Sequence, residues 1–179
     1  MLRFTILLSL IFVLPACERS KIDEAKWKSA GAEAVEPFKK NLKQALVEGL
    51  AEGPVKAIAV CQVKAPELAE KASSVSFKVG RTSDKLRNPD NAPKSWMKPF
   101  LDQYVNHPDE REPAVVLIDQ NTVGYVEPIF LQPLCVTCHG ESLAPDLKAK
   151  LSELYPNDQA TGYQAGDFRG IFWAELARN

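Results

Sequence analysis

One short motif constrains this chain more than any other feature: Cys135-Val136-Thr137-Cys138-His139-Gly140. Its Cys-x-x-Cys-His core is typical of covalent haem attachment. Two thiols three positions apart reach the two vinyl groups on one edge of a porphyrin and form thioethers with them. His139 then supplies a neutral imidazole as an axial ligand of the iron. The motif therefore predicts one covalent haem c, held by Cys135, Cys138 and His139.

Two other kinds of site also use a Cys-x-x-Cys pair. A dithiol redox pair is expected to open a helix after a strand, whereas Pro133 precedes this pair and Gly140 follows its histidine. A structural zinc site needs four ligands, and the chain offers only His107 and Cys61 as further donors of these types. We therefore rank a zinc site and a bare disulfide below haem.

The first sixteen residues have the pattern of an export signal. Arg3 precedes an apolar run, residues 4–14, which is shorter than the roughly 20 residues that span a bilayer. The run ends in Leu14-Pro15-Ala16-Cys17, which resembles a bacterial lipoprotein cleavage site. We therefore expect a lipidated Cys17 and a periplasmic protein anchored to the inner or outer membrane; an ordinary cleaved secretion signal is the alternative. Export agrees with the haem motif, because c-type haem is attached outside the bacterial cytoplasm.

Length and composition predict one globular domain after the signal. The chain has 179 residues, of which 45% are hydrophobic and 25% charged, which is ordinary for a protein that buries a core. Its net charge of −1 and the lack of a basic patch argue against a nucleic-acid partner. We expect a signal peptide over residues 1–16, a tether over 17–29 and the haem domain over 30–177.

Periodicity predicts four helical regions. The first carries an apolar stripe at helical spacing, more typical of a core face than of a cofactor face: Val35, Phe38, Leu42, Leu46 and Leu50. Asp23 is a candidate N-cap for it, and Pro37 is expected to kink or restart it. Pro66 is expected to divide residues 55–72 into two short helices. Asn91 is expected to cap a helix whose shared face consists of Trp96, Phe100 and Tyr104, and residues 147–154 predict the last helix.

Alternation of apolar and polar residues predicts four strands, over residues 76–81, 115–118, 123–129 and 168–176. The middle two are expected to form a hairpin, with Gln120 and Asn121 at its turn. Separated antiparallel strands with helices packed on them indicate an α+β domain.

Cys61 is the cysteine that remains when Cys17 is assigned to lipid and the motif pair to haem. An unpaired thiol in an oxidising compartment needs an explanation. It is either the second axial ligand of the iron, as a thiolate, or a small buried hydrophobic residue, and the count of cysteines leaves both open. His107, in a polar segment before Pro108, and Met97, on a predicted helix, are the other candidates for that axial position, which could also be open or water-filled.

Several further motifs occur in a fixed order across residues 30–177. They are Ala57-Ile58-Ala59-Val60-Cys61 with Ala65-Pro66; Gly80-Arg81-Thr82-Ser83 with Arg87-Asn88-Pro89-Asp90-Asn91-Ala92-Pro93; Tyr125-Val126-Glu127-Pro128-Ile129; the haem motif itself; and Tyr155-Pro156-Asn157-Asp158 with Gly162-Tyr163 and Gly166-Asp167-Phe168-Arg169-Gly170. As a set they resemble a family of periplasmic c-type haem domains with a PAS-like fold. Its members occur as single-domain proteins and as the sensor part of histidine kinases and chemoreceptors.

The resemblance implies a PAS-like α+β fold, a central antiparallel sheet and His/Cys axial ligation, which falls here on His139 and Cys61. Arg81 and Arg87 lie in the family's Arg-Thr-Ser and Arg-Asn-Pro motifs. We expect them to pair with the haem propionates, because a guanidinium fork matches a carboxylate; structural turn arginines are the alternative. No transmitter helix follows the last predicted strand, so we expect a sensor of this kind to signal through a partner protein.

Two non-enzymatic functions follow from a His/Cys-ligated haem. A thiolate favours ferric iron, so we expect a low reduction potential and a weaker iron–sulfur bond after reduction. A redox or diatomic-gas sensor would release Cys61 on reduction, whereas an electron-transfer cytochrome would keep both ligands. A peroxidase-like enzyme would need an open position and a nearby acid–base residue, for which His107 is the available histidine. A haem-free binding lipoprotein is the last alternative, and it would be colourless.

Overall fold

The computed structural model describes residues 22–178. Its helices are α1 (Glu24–Ala51), α2 (Pro54–Ala72), α3 (Lys98–Asn106), α4 (Val136–His139) and α5 (Pro145–Leu154). Its strands are β1 (Phe77–Thr82), β2 (Ala114–Asp119), β3 (Thr122–Phe130) and β4 (Phe168–Ala177). The predicted signal peptide and Cys17 lie outside the described residues. Helix α1 begins at Glu24, so the folded part starts before residue 30, the expected boundary.

The four strands form one antiparallel sheet in the order β1-β4-β3-β2. The β2–β3 hairpin turns at Gln120 and Asn121, as predicted. The last strand of the chain enters the middle of the sheet, where Phe172 pairs with Arg81 of β1 on one side and with Glu127 of β3 on the other. The α+β architecture with a long N-terminal helix, predicted from the sequence, is confirmed.

The two long helices cover one face of the sheet and α3 covers the other. The buried half of the α1 stripe packs with Ala65 of α2 on strand residues of the first face: Val35, Phe38 and Leu42 against Val79, Tyr125, Ala174 and Leu176. On the second face Met97, Leu101 and Tyr104 pack against Val126 and Ile171. Because side chains alternate along a strand, Tyr125 and Val126 serve opposite faces. Helix α5 packs Leu147 and Leu151 against Ile58 of α2.

Both prolines expected to interrupt helices lie inside continuous ones. Pro37 is within α1 and Pro66 within α2. Each ring is exposed, so it lies on the solvent side and removes one backbone donor without displacing the buried face. Ala65, directly before Pro66, and the partly buried Leu68, Ala69 and Ala72 after it pack on the same core, which keeps the helix as one element. The prediction of two short helices in residues 55–72 is therefore wrong.

The expected helix cap at Asn91 is also wrong. Asn91 ends a short 3-10 turn (Pro89–Asn91), which is capped by the Asn88 side chain accepting from the Asp90 N–H at 3.0 Å. Helix α3 begins later, at Lys98, after a second 3-10 turn (Ser95–Met97), and it ends at Asn106, with His107 as its C-cap. The cap at Asp23 is confirmed, since its carboxylate accepts from the Lys26 N–H at 3.0 Å.

Candidate functional site

A cavity on the α1/α2 side of the sheet, the main cavity below, is lined by all six residues singled out as haem-site candidates: Cys61, Arg81, Arg87, Cys135, Cys138 and His139. Its walls come from the C-terminal half of α1, the middle of α2, the end of β1 and the motif segment. Leu46 and Leu50 belong to this lining. The α1 stripe, predicted to be core, is therefore core in its first half and cavity wall in its second.

The Cys-x-x-Cys-His segment forms a compact turn. A 3-10 turn (Pro133–Cys135) leads into α4, and the Gly140 N–H donates to the Val136 carbonyl at 2.8 Å. A Cβ on Gly140 would lie 2.5 Å from that same oxygen, so a glycine is required there. Cys135 and Cys138 are half-buried free thiols, three residues apart on one helical turn. The pair does follow a strand, as a dithiol redox pair would, but the helix ends after four residues at His139.

His139 presents one ring nitrogen to the protein. Its Nδ1 lies 2.6 Å from the Ala160 carbonyl oxygen, which accepts only, so Nδ1 carries the proton and Nε2 has a free lone pair. Burial lowers the pKa of the imidazole to about 2, and repulsion from Arg87 and Arg169 adds to the shift. The ring is therefore neutral at physiological pH. A neutral imidazole whose second nitrogen is held by a carbonyl is the usual form of a metal-binding histidine.

Cys61 lies in the middle of α2, half-buried, between the main cavity and a second cavity. Burial raises the pKa of its thiol, although the charges of Arg81 and Arg87 oppose the shift. The second cavity runs along the edge of β1 to Met97 and Trp173. The two cavities share Cys61, Arg81, Asn88, Asn91 and Tyr155.

Arg81 faces both cavities without a carboxylate partner. Within residues 22–178 its guanidinium makes no hydrogen bond and no ion pair. Burial lowers the pKa of its guanidinium, which Arg87 also repels. A half-buried cation without a carboxylate partner is unfavourable, so this position suits a bound anion.

Arg87 donates to protein oxygens through two of its guanidinium nitrogens. Its Nε donates to Asp158 Oδ2 at 3.0 Å, and its Nη2 donates to the carbonyls of Cys138 at 2.6 Å and Ala160 at 3.2 Å. These contacts tie the motif turn to the segment after α5. They favour the structural role that was the alternative for Arg87.

Arg169 is a site residue that sequence reasoning missed. It lines the main cavity, and its Nη1 donates to Ser83 Oγ at 2.7 Å and to the Lys85 carbonyl at 3.1 Å. Its Nε is buried and has no hydrogen-bond partner within the part of the chain that the structure describes. Burial lowers the pKa of its guanidinium to about 10. Arg169 is in a quoted motif, but its place beside Ser83 depends on the β1–β4 pairing, which the sequence does not give.

The other candidates for the second axial position lie elsewhere. His107 is exposed at the end of α3 and is not part of the main cavity's lining. Met97 is fully buried in the core of the second face and reaches only the second cavity. In residues 22–178, no three His, Cys, Asp or Glu side chains converge where they could hold a metal ion, a group that the zinc alternative would need.

Between residues 22 and 178, none of the helices combines the length and apolarity needed to cross a bilayer.

Comparison with known proteins agrees with this site. A family model described as Tll0287-like matches residues 18–176. The crystal structure of the cyanobacterial heme-protein Tll0287 is similar, with a TM-score of 0.63 and 25% sequence identity, covering 82% of this chain and 94% of that one. No curated protein matches significantly. The resemblance drawn from the sequence is thereby confirmed: the chain belongs to the Tll0287-like family.

Proposed function

We propose that this chain binds one haem c covalently and acts as a redox or diatomic-gas sensor with His/Cys axial ligation. One observation carries the haem assignment: the motif cysteines, His139 and the leftover thiol of Cys61 face the same cavity. The similar cyanobacterial structure is that of a heme-protein, which supports the same assignment.

Each residue of the cavity has a distinct part in holding the group. Cys135 and Cys138 would form the thioethers, and His139 would ligate through the Nε2 that its contact with Ala160 leaves free. Cys61 would ligate from α2 as a thiolate, for which the iron would have to offset the raised pKa of its thiol. Arg81 would pair with a propionate, because its guanidinium has no partner in the described chain.

The position of Cys61 favours sensing over electron transfer. A bound haem would supply a one-electron redox centre, reduced by an external donor. If reduction released the Cys61 sulfur, solvent would protonate it to the neutral thiol, and its side chain would have the second cavity beside it. An electron-transfer cytochrome keeps both ligands and has no use for that space. We retain it as the second candidate.

An enzymatic role has less support than sensing or electron transfer. A peroxidase-like reaction needs an acid–base residue at an open axial position. The histidine considered for that part, His107, is exposed at the end of α3. We therefore propose a non-enzymatic protein. Its lipid anchor at Cys17, its periplasmic location and its redox or signalling protein partner remain predictions from the sequence.

The test is the visible spectrum of the full-length protein, produced with haem-attachment machinery, in the ferric and dithionite-reduced states. We expect a covalent haem whose ferric spectrum carries a thiolate signature in the wild type and loses it in Cys61→Ser. Loss of that signature on reduction of the wild type supports sensing, and its retention supports electron transfer.

Two control variants complete the experiment. Met97→Leu and His107→Gln alter the other candidate ligands and should leave both spectra unchanged. A colourless wild type contradicts haem binding. An unchanged ferric spectrum in Cys61→Ser removes Cys61 from the iron.

A further inference from the structure

Ala160 is the residue through which the protein holds the His139 ring. It is fully buried, and both of its backbone polar groups are bound. Its carbonyl accepts from His139 Nδ1 at 2.6 Å and from Arg87 Nη2 at 3.2 Å, while its N–H donates to Asp158 Oδ1 at 2.8 Å. The residue whose carbonyl holds the histidine ring is thus itself held at two points, at its carbonyl by Arg87 and at its N–H by Asp158.

Arg87 and Asp158 close this arrangement into a ring. Arg87 Nε and Asp158 Oδ2 form a largely buried ion pair at 3.0 Å, with 14% and 10% of the two side chains exposed. The same Arg87 Nη2 also donates to the Cys138 carbonyl at 2.6 Å, one residue before His139. The Arg87 guanidinium therefore contacts the motif turn, the Ala160 carbonyl and the Asp158 carboxylate, which also accepts from the Ala160 N–H.

We propose that Arg87 is a positioning residue for the axial histidine: with Asp158 it fixes Ala160, whose carbonyl accepts the hydrogen bond from His139 Nδ1–H. The proposal rests on the haem function proposed above. The fork geometry of arginine is required, because three acceptors in different directions must be met by one planar group. Lysine keeps the charge but offers a single point donor.

The arrangement has two separable consequences for a bound haem. Holding the Ala160 carbonyl in place keeps its hydrogen bond with His139 Nδ1–H short, which fixes the tautomer and the ring orientation. The Arg87 charge, in contrast, acts on the iron at a distance and disfavours the ferric state, as any nearby cation would. The solvent exchange rate of the Nδ1–H proton therefore reports on the geometry, and the reduction potential reports on the charge.

The experiment compares Arg87→Gln, Arg87→Lys and Asp158→Asn with the wild type, all as the haem-loaded full-length protein. Covalent haem is first checked on a denaturing gel. The readouts are the solvent exchange rate of the hyperfine-shifted Nδ1–H proton of the axial imidazole in the ferric protein, followed by NMR, and the reduction potential. Arg111→Gln, an exposed arginine, serves as the unchanged control.

We expect Nδ1–H exchange to rise about tenfold in both Arg87 variants, the factor that corresponds to about 1.4 kcal/mol of opening free energy. Asp158→Asn should raise it as well. The potential should fall in Arg87→Gln, which loses the charge, and stay near the wild-type value in Arg87→Lys, which keeps it. Because the lysine introduced by Arg87→Lys can still pair with Asp158, this variant keeps the experiment informative if Arg87→Gln fails to fold.

Unchanged exchange in both Arg87 variants would overturn the inference. If the potential still fell in Arg87→Gln, Arg87 would act only by its charge, as a propionate partner does. A rise in exchange that Arg87→Lys restores to the wild-type rate would also overturn it, because charge and not the fork would then matter. A wild type without covalent haem on the gel overturns the proposed function and this inference together.

Discussion

Gly31 of α1 lies directly against the ring of Tyr125 in β3. A Cβ built on Gly31 would stand 2.2 Å from Tyr125 Cγ, far inside van der Waals contact. The glycine lets the helix backbone approach the sheet closely enough for Tyr125 to be almost fully buried. The same helix carries Leu46 and Leu50 to the main cavity, so this contact helps to set the position of the cavity wall.

Gly31→Ala should therefore destabilise the protein by about 1–3 kcal/mol through overpacking, although alanine is the better helix former. Chemical denaturation of both proteins measures the difference. Ala32→Gly, on the exposed face of the same helix, isolates the propensity effect and should cost about 1 kcal/mol. A Gly31→Ala protein more stable than the wild type would show that α1 can move away from the sheet.

The Tyr104 hydroxyl predicts a loss of stability at alkaline pH. It is buried and donates to the Glu112 carbonyl at 2.7 Å, and burial, aided by Glu110 and Glu112, raises its pKa to about 12 from 10.0. The unfolded chain releases this proton near pH 10, so the stabilisation is complete below that pH and is lost as the pH rises towards 12.

Tyr104→Phe should remove this contribution. Its free energy of unfolding should fall less steeply than that of the wild type between about pH 10 and 12, by up to about 1.4 kcal/mol per pH unit. Urea denaturation across that range measures the two slopes. At pH 7 the two proteins should differ only by the lost hydrogen bond, about 1 kcal/mol. Parallel slopes at high pH would mean that Tyr104 ionises equally in both states.

Pro66 lies within α2 with its ring exposed. Pro66→Ala restores a backbone donor within the helix and should stabilise the protein by about 1–3 kcal/mol. Thermal unfolding of the two proteins checks this. Pro54→Ala, at the first turn of the same helix, should have little effect, because an N–H there has no partner within the helix. A destabilised Pro66→Ala would show that the helix is adapted to the proline.

These prolines mark the limit of what the sequence could predict. The motif turn, the strands and the hairpin depend on local pattern, and all of them lie where they were expected. Pro66 was expected to divide its helix, and Pro37 to kink or restart the first one, because the local effect of proline is unfavourable. Both helices are continuous, because tertiary burial of the opposite helix face outweighs one missing hydrogen bond. Asn91 was interpreted as a helix cap because of its residue type, but Asn88 is the residue that caps the turn there.

The same limit applies to the candidate site, where residues in local motifs could be identified and residues defined by long-range contacts could not. The sequence identified six residues that the fold brings to one cavity, because each lay in a short motif or was an unpaired cysteine. It could not identify Arg169 or Asp158, whose contacts join segments more than seventy residues apart. For the same reason it could not separate Arg81, which has no partner in the described chain, from Arg87, whose Nε and Nη2 donate to protein oxygens.

The space beside Cys61 gives the last prediction. Ala65 lies one helical turn after Cys61 on the same face of α2 and lines the second cavity. Ala65→Val places two more methyl groups in that space without altering a candidate ligand. If Cys61 leaves the iron towards this cavity, the variant should hold the thiolate in place.

We therefore expect dithionite-reduced Ala65→Val to retain the thiolate spectrum that the reduced wild type loses, and its reduction potential to be lower. The matched control is Ala59→Val, the same substitution in α2 at a residue that lines neither cavity, and it should behave as the wild type. Far-UV circular dichroism and the ferric spectrum verify that each variant is folded and ligated. If reduced Ala65→Val loses the thiolate as readily as Ala59→Val, Cys61 does not need the second cavity to leave the iron. If all three proteins keep the thiolate on reduction, the protein is an electron-transfer cytochrome and not a ligand-switching sensor.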